Sequence, residues 1–315
     1  MTKAPASQQT PLRRNSRKAP AAWGRLLVIL IPYVWLAVLF LVPFLIVLKI
    51  SLSATAIAQP PYTPVFDPAA GLAGLKEFLE GLSFDNYAQL IADRLYLASY
   101  LRSLEIAAVS TVILLVLGYP VAYGMARVPR RWQGLLLVLV ILPFWTSFLI
   151  RIYAWTNILQ HDGLLNQLLG ALGIGPITWL ATDTAIYIGM VYSYFPFMVL
   201  PLYAALERMD ESLLEAAADL GCPRWKTFWL VTLPLSRAGI VAGVLLCFIP
   251  IVGEFVAPDL LGGSSQQMIG QTLWTEFFSN RDWPAASSVA VVLLLLLVVP
   301  IVIYQHHQAR ELERA

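Results

Sequence analysis

Five stretches of this sequence run for 19 to 23 positions without a charge: Leu26–Leu48, Ile106–Ala126, Trp132–Ile150, Thr184–Leu206 and Trp283–Gln305. A helix needs roughly 17–25 apolar residues to cross the hydrocarbon core of a bilayer, so each run is long enough to span. A sixth, Ala238–Gly253, reaches that length only by continuing through Glu254 to Ala257. Of the 315 residues 58% are hydrophobic and 13% charged, where a soluble domain carries about 25% charge. One globular core cannot absorb that excess. In lipid, helices satisfy their own backbone hydrogen bonds, which predicts an all-α integral membrane protein. Gly163–Thr182 is also uncharged, but Asn166, Gln167, four glycines and Pro176 suit it poorly to lipid. A short helix lying at the interface, or dipping partway in, is expected there.

Basic residues orient the spans. Of the 21 Lys and Arg, fifteen fall in four segments: the N-terminal tail through Arg25, Arg127–Arg131, Arg208–Arg237 and the C-terminal tail. Those segments share one side in a six-span arrangement, which makes both termini cytoplasmic. The first run is 23 residues long, beyond the roughly 7–15 of a signal-peptide core, so an uncleaved span is expected. The expected organisation is a basic, disordered tail over 1–22, able to touch anionic lipid, then a transmembrane domain over 23–305. Its spans lie near 26–48, 103–126, 132–150, 184–206, 238–257 and 283–305, with a loop over 207–237 and a second tail over 306–315. Cys222 falls in a cytoplasmic connection and Cys247 in a span, so no disulfide is expected. His161, His306 and His307 make no ligand set with either, and no metal site or catalytic residue is expected.

The loop contains "EAAADLGCPRWKTFWLVTLP", Glu215 to Pro234. Asp210 is placed to cap a helix through Glu211, Leu214, Ala217 and Leu220. Gly221 suits the left-handed residue that ends it, and Pro223 the first turn of a second helix that stops before Pro234. Ala216 and Ala217 allow a partner surface to approach closely, and Glu215 offers it a carboxylate. An ordinary amphipathic connector fits the same residues equally well.

The pattern Glu215-Ala216-Ala217, Gly221, Val231, Leu233-Pro234 resembles the cytoplasmic signature of permease subunits of binding-protein-dependent ABC importers. It departs only in carrying valine where isoleucine is usual. Ser103-Leu104 with Ala107 and Ser110-Thr111 resembles that family's first segment. The resemblance implies a type I permease fold and a coupling helix seated in a groove of the ATP-binding subunit. It also implies a second homologous permease, an ATPase dimer and a periplasmic binding protein. The chain has no G-x-x-x-x-G-K-[ST] phosphate loop; Gly262-Gly263-Ser264-Ser265 lacks the lysine. ATP and Mg therefore belong to the partner ATPase, no cofactor is expected on this chain, and it is not an enzyme by itself.

"LPFWTSFLIRIYAW", "VYSYFPFMVLPLY", "VGEFVAPDLLGG" and "TEFFSNRDWPAASSVA" are similar to the first-type permease of bacterial polyamine importers, the putrescine branch above all. That similarity covers about residues 23–305 and implies a cationic substrate. Glu254, 16 residues beyond Ala238 in an otherwise uncharged run, fits such a cargo. Acids at membrane depth usually face a cavity or a partner; an interfacial position, pairing with Arg281 or solvent, is the plainer alternative. Aromatic faces attract ammonium groups, which makes Trp145, Tyr153, Tyr192, Tyr194 and Phe195 pathway candidates. Asp183 and Asp259 are expected at the outer mouth, where they would concentrate a polyamine. Arg102 and Glu105 read as a local i,i+3 pair. The connection from Lys49 to Arg102, with Pro60–Pro68, is the expected docking surface for the binding protein.

Two other classes fit less well. A self-sufficient secondary transporter would carry coupling-ion residues in several spans and an internal repeat. A membrane enzyme would need a convergent His, Asp or Cys set. Thiamine, iron(III) or an oxyanion are alternative cargoes, and an oxyanion would favour basic pathway residues over Glu254. Nothing points to nucleic acid.

Overall fold

The computed structural model of the chain describes residues 22–65, 76, 79–263 and 267–314. The expectations for residues 1–21, and those for parts of the Pro60–Pro68 and Gly262–Ser265 stretches, lie outside the described residues. The chain divides into two units, Met1–Lys49 and Ile50–Ala315. The first holds helix Ala22–Leu36, a π-turn at Ala37–Leu41 and all but the last two residues of helix Val42–Ser51. Large apolar side chains such as Tyr33, Trp35 and Phe40 are exposed along it, as a lipid-facing helix requires.

The second unit is built on three helices, Arg94–Arg127, Asp183–Glu207 and Arg237–Val252, which pack on one another. Their core includes Ile106, Leu114, Met190, Met198, Leu202, Cys247 and Ile251. Lipid offers apolar side chains no worse a solvent than protein, so membrane helices associate through close packing at small residues. Gly239 and Gly243 supply that contact. A Cβ on Gly239 would lie 2.6 Å from Ala205 Cβ and 2.7 Å from Pro201 O; one on Gly243 would lie 2.8 Å from Met198 Sδ. Gly239→Ala is therefore expected to force the two helices apart, at a cost of about 1–3 kcal/mol. The readout is a lower melting temperature of the purified permease in detergent, and an unchanged melting temperature would contradict this account of the interface.

Four described helices are long and apolar enough to cross a membrane, Val28–Ser51, Arg94–Arg127, Asp183–Glu207 and Trp283–Val302, or up to six if each of two bent pairs counts as one span. The breaks correct the sequence expectation in three places. The third span, expected over 132–150, bends by 87° between Arg130–Trp145 and Phe148–Ala171. Pro143 has no N–H to continue the helix, and the Thr146 hydroxyl donates to the Pro143 carbonyl at 2.8 Å. The fifth span, expected to continue to 257, ends at Val252; Gly253–Phe255 breaks the chain before Val256–Leu261. The second helix of the loop does not stop before Pro234. It runs through a π-turn, Phe228–Thr232, into Leu233–Leu235, then bends by 67° at Ser236. Pro234 is tolerated because it opens a new helical segment, where its missing N–H is not needed.

Arg94–Arg127 covers the second span and extends nine residues before it. Within 163–182 the chain forms one short helix, Leu164–Ala171. Its buried Asn166 donates to the Gln160, His161 and Ile177 carbonyls and accepts from the Ile177 N–H and the Trp179 indole. Among the described residues one small antiparallel ladder, Ala54–Thr55 with Tyr62–Thr63, accompanies the helices. Cys222 and Cys247 are both free thiols.

Candidate functional site

Local chemistry builds the first helix of the loop elbow and its stop as the sequence predicts. The Asp210 carboxylate accepts the Ser212 N–H at 2.9 Å at the start of helix Ser212–Asp219. That hydrogen bond holds the Asp210 carboxyl below its ordinary range, so the cap weakens only as pH falls through the lowered value. Gly221 has φ +75°. The Cys222 N–H reaches the Ala217 carbonyl at 3.0 Å and the Gly221 N–H the Ala218 carbonyl at 2.8 Å, the paired bonds of a Schellman stop. Glu215 and Ala216 are exposed, Ala217 half-buried, and no side chain of this helix is buried. Leu220 is 88% and Trp225 65% exposed.

Sequence reading missed how the elbow is tied to the core. Phe228 packs edge-on against Tyr119 and Tyr123 of the Arg94–Arg127 helix, with ring centroids 5.4 and 6.3 Å apart. The Tyr119 hydroxyl lies 2.8 Å from Ser236 Oγ at the bend. Arg127, at the end of the same helix, pairs with Glu211 at 3.1 Å. These contacts join the elbow to Arg94–Arg127, the longest described helix of the core. Leu233 is half-buried and Pro234 exposed beside that hinge.

The second candidate region is a cavity of about 680 Å³ lined by Phe144, Thr146, Phe148, Arg151, Ser193, Tyr194, Phe197, Leu245, Leu246, Ile249, Pro250 and Glu254. Glu254 sits in the break after Val252. One carboxylate oxygen accepts the Tyr194 hydroxyl at 2.7 Å and the other the N–H groups of Phe255 and Val256, each at 3.1 Å. Gly270 holds this turn from behind: a Cβ there would lie 2.5 Å from the Gly253 carbonyl and 2.7 Å from that of Glu254. The alternative pairing of Glu254 with Arg281 is not what the structure contains.

The remaining candidates do not converge on Glu254. Tyr192 and Phe195 line a separate cavity of about 550 Å³ with Trp155 and Tyr187. Helical rotation of about 100° per residue turns them away from Tyr194. Trp145 and Tyr153 point outward, 77% and 54% exposed. Asp183 is ion-paired with Arg102, which also holds Glu105 at 2.8 Å. The Arg102–Glu105 pair is as expected, but Asp183 is not the free acid the outer-mouth reading requires. Asp259 is exposed and accepts the Gln271 amide at 3.4 Å.

Arg151 was absent from the sequence candidates. It is 6% exposed, and its guanidinium carbon lies 4.7 Å from the Phe144 ring centroid and 5.7 Å from that of Phe148. Its Nε and Nη1, and the Ser193 hydroxyl in the same cavity, have no hydrogen-bond partner among the described residues. The only available signal was its position directly after an uncharged run, which reads as a span end.

Residues 115–313 match the model of the family described as binding-protein-dependent transport system inner membrane component. The chain is 46% identical over 211 residues to the spermidine/putrescine transport system permease protein PotB of Salmonella typhimurium strain SL1344, covering 66% of this chain and 73% of that protein. It is 44% identical over 211 residues to PotB of Escherichia coli strain K12, covering 66% and 76%. Its fold matches a chain of a bacterial alginate ABC transporter solved with alginate pentasaccharide-bound periplasmic protein. That match has a TM-score of 0.67 over 92% of this chain and 95% of the other, at 15% sequence identity. With the family model spanning well over half of the sequence and a helical core of the same fold, this chain belongs to the binding-protein-dependent transport system inner membrane components, the ABC importer permeases.

Proposed function

We propose that this chain is one of two permease subunits of an ATP-driven polyamine importer, with putrescine as the first substrate and spermidine as the second. The observation that carries the reading is its 44–46% identity to spermidine/putrescine permeases. The cavity supports it: the Glu254 carboxylate, the Ser193 hydroxyl, which has no hydrogen-bond partner among the described residues, and the rings of Tyr194 and Phe197 offer acceptors and aromatic faces to an alkylammonium chain. Each cation–π contact contributes about 0.5–2 kcal/mol. In this reading the chain spans the inner membrane six times with both termini cytoplasmic, each bent pair serving as one span. The elbow Glu215–Gly221, with Leu233-Pro234 at its hinge, docks on a separate ATPase. ATP binding there closes the ATPase pair, the elbow moves the Arg94–Arg127 helix, and the cavity turns toward a docked periplasmic binding protein; hydrolysis resets it.

A second reading, an inorganic oxyanion as cargo, draws on one observation, the buried Arg151, whose Nε and Nη1 have no hydrogen-bond partner among the described residues. Glu254 on the same cavity and the similarity to polyamine permeases weigh against it. The deciding experiment measures labelled putrescine, spermidine and molybdate uptake into cells lacking their own importers and supplied with the complete system. Uptake of the amines alone is expected. An assembled system that takes up only the oxyanion would overturn the polyamine reading.

A further inference from the structure

Arg151 poses a problem for a cation pathway, because a fixed positive charge sits where a positive cargo should pass. Its guanidinium covers the faces of Phe144 and Phe148, the surfaces that would otherwise attract a substrate ammonium. Glu254 and Ser193 line the same cavity. Buried arginines are normally locked by several hydrogen bonds, since a buried unsatisfied donor is unfavourable. Here Nε and Nη1 have none among the described residues. The side chain is therefore held chiefly by aromatic faces, which a second cation can take over without breaking directed bonds at those two atoms.

Resting on the polyamine reading, we propose that Arg151 is a specificity-determining residue, a built-in cation that occupies the aromatic wall of the Glu254 cavity until a substrate ammonium displaces it. Arg151 offsets the attraction of Glu254, so a bare inorganic cation gains little by entering. An alkylamine still gains from the rings through its methylene stem. Positive side chains serve as barriers of this kind in other pores. The cavity thus rejects small ions on charge while admitting organic amines on apolar contact.

The test uses the complete importer, with both permeases and the ATPase pair, reconstituted in vesicles. Two fluxes are read without ATP: potassium, with a potential-sensitive dye, and labelled putrescine. Wild type is expected to be tight to both. Arg151→Met, which keeps the volume and apolar packing, is expected to raise the potassium leak on the order of tenfold or more, and Arg151→Lys to restore tightness. Assembled Arg151→Met as tight as wild type would overturn the proposal, as would an equal leak in the Lys variant. Failure of both variants to assemble would make Arg151 a structural residue of the bend and overturn it too. If wild type imports no amine yet Arg151→Met leaks potassium, the polyamine reading falls and the barrier stands. If wild type imports molybdate and Arg151→Met abolishes that import, Arg151 is an anion ligand and the barrier falls.

Discussion

Glu215→Arg is expected to abolish ATP-driven uptake while leaving the permease folded in the membrane. The side chain is exposed on helix Ser212–Asp219, so folding depends on it weakly; surface substitutions of this kind usually stay within about 0.5 kcal/mol. An acid in the first turn also complements the helix dipole, which adds only about 0.3–1 kcal/mol. Docking is different. Removing one member of a buried interfacial charge pair costs about 2–5 kcal/mol, and reversing its sign adds repulsion against the same partner. Uptake should fall at least roughly a hundredfold, the equivalent of about 2.7 kcal/mol. The measurement pairs uptake with co-purification of the ATPase: the Arg variant should reach the membrane at wild-type level yet retain little ATPase. Normal uptake would remove Glu215 from the coupling role.

The elbow was legible because its determinants are short-range. Asp210 reaches Ser212, Gly221 adopts its own φ, and the Cys222 N–H returns to Ala217, all within a few residues. The four long apolar helices, Val28–Ser51, Arg94–Arg127, Asp183–Glu207 and Trp283–Val302, were legible for a similar reason, since an uncharged run carries its own solvent preference. The second helix of the elbow was less so. Pro234 looked like a terminator, but it falls in the first turn of a new segment after the π-turn, where its missing N–H is not needed.

The cavity was legible in one residue. Glu254 stood out as an acid in an apolar run, but its partner Tyr194 is 60 positions away. Which of Tyr192, Tyr194 and Phe195 faces it depends on the rotation of helix Asp183–Glu207, set by packing of Met198 against Gly118 and Gly243. Arg151 was hidden by the bend at Thr146-Ser147. In a straight third span it would sit at the membrane edge; folded back by 87°, it lies inside. Asp183 likewise looked like a free acid until the fold brought Arg102 to it from another helix.

Glu254→Gln is expected to reduce the efficiency of amine uptake without unfolding the turn. The carboxylate has three partners, the Tyr194 hydroxyl and the N–H groups of Phe255 and Val256. Glutamine keeps one oxygen that can accept from the two backbone donors, so the break after Val252 retains its cap while the negative charge disappears. Hydrogen bonds to a charged group contribute about 1.5–3 kcal/mol, which corresponds to roughly a tenfold to 150-fold loss at 1.36 kcal/mol per factor of ten. In this reading the binding protein is a separate chain, so its own affinity for putrescine should not change; the loss must appear in initial uptake rates at saturating loaded binding protein. Glu254→Asp keeps the charge on a shorter stem and should recover part of the rate. Tyr194→Phe keeps the ring, removes the hydroxyl and frees one carboxylate oxygen, so it should impair uptake less than Glu254→Gln. If Tyr194→Phe and Glu254→Gln were equally inactive, the hydroxyl–carboxylate bond itself would be the required element, and Glu254 would be holding the helix break rather than the cargo.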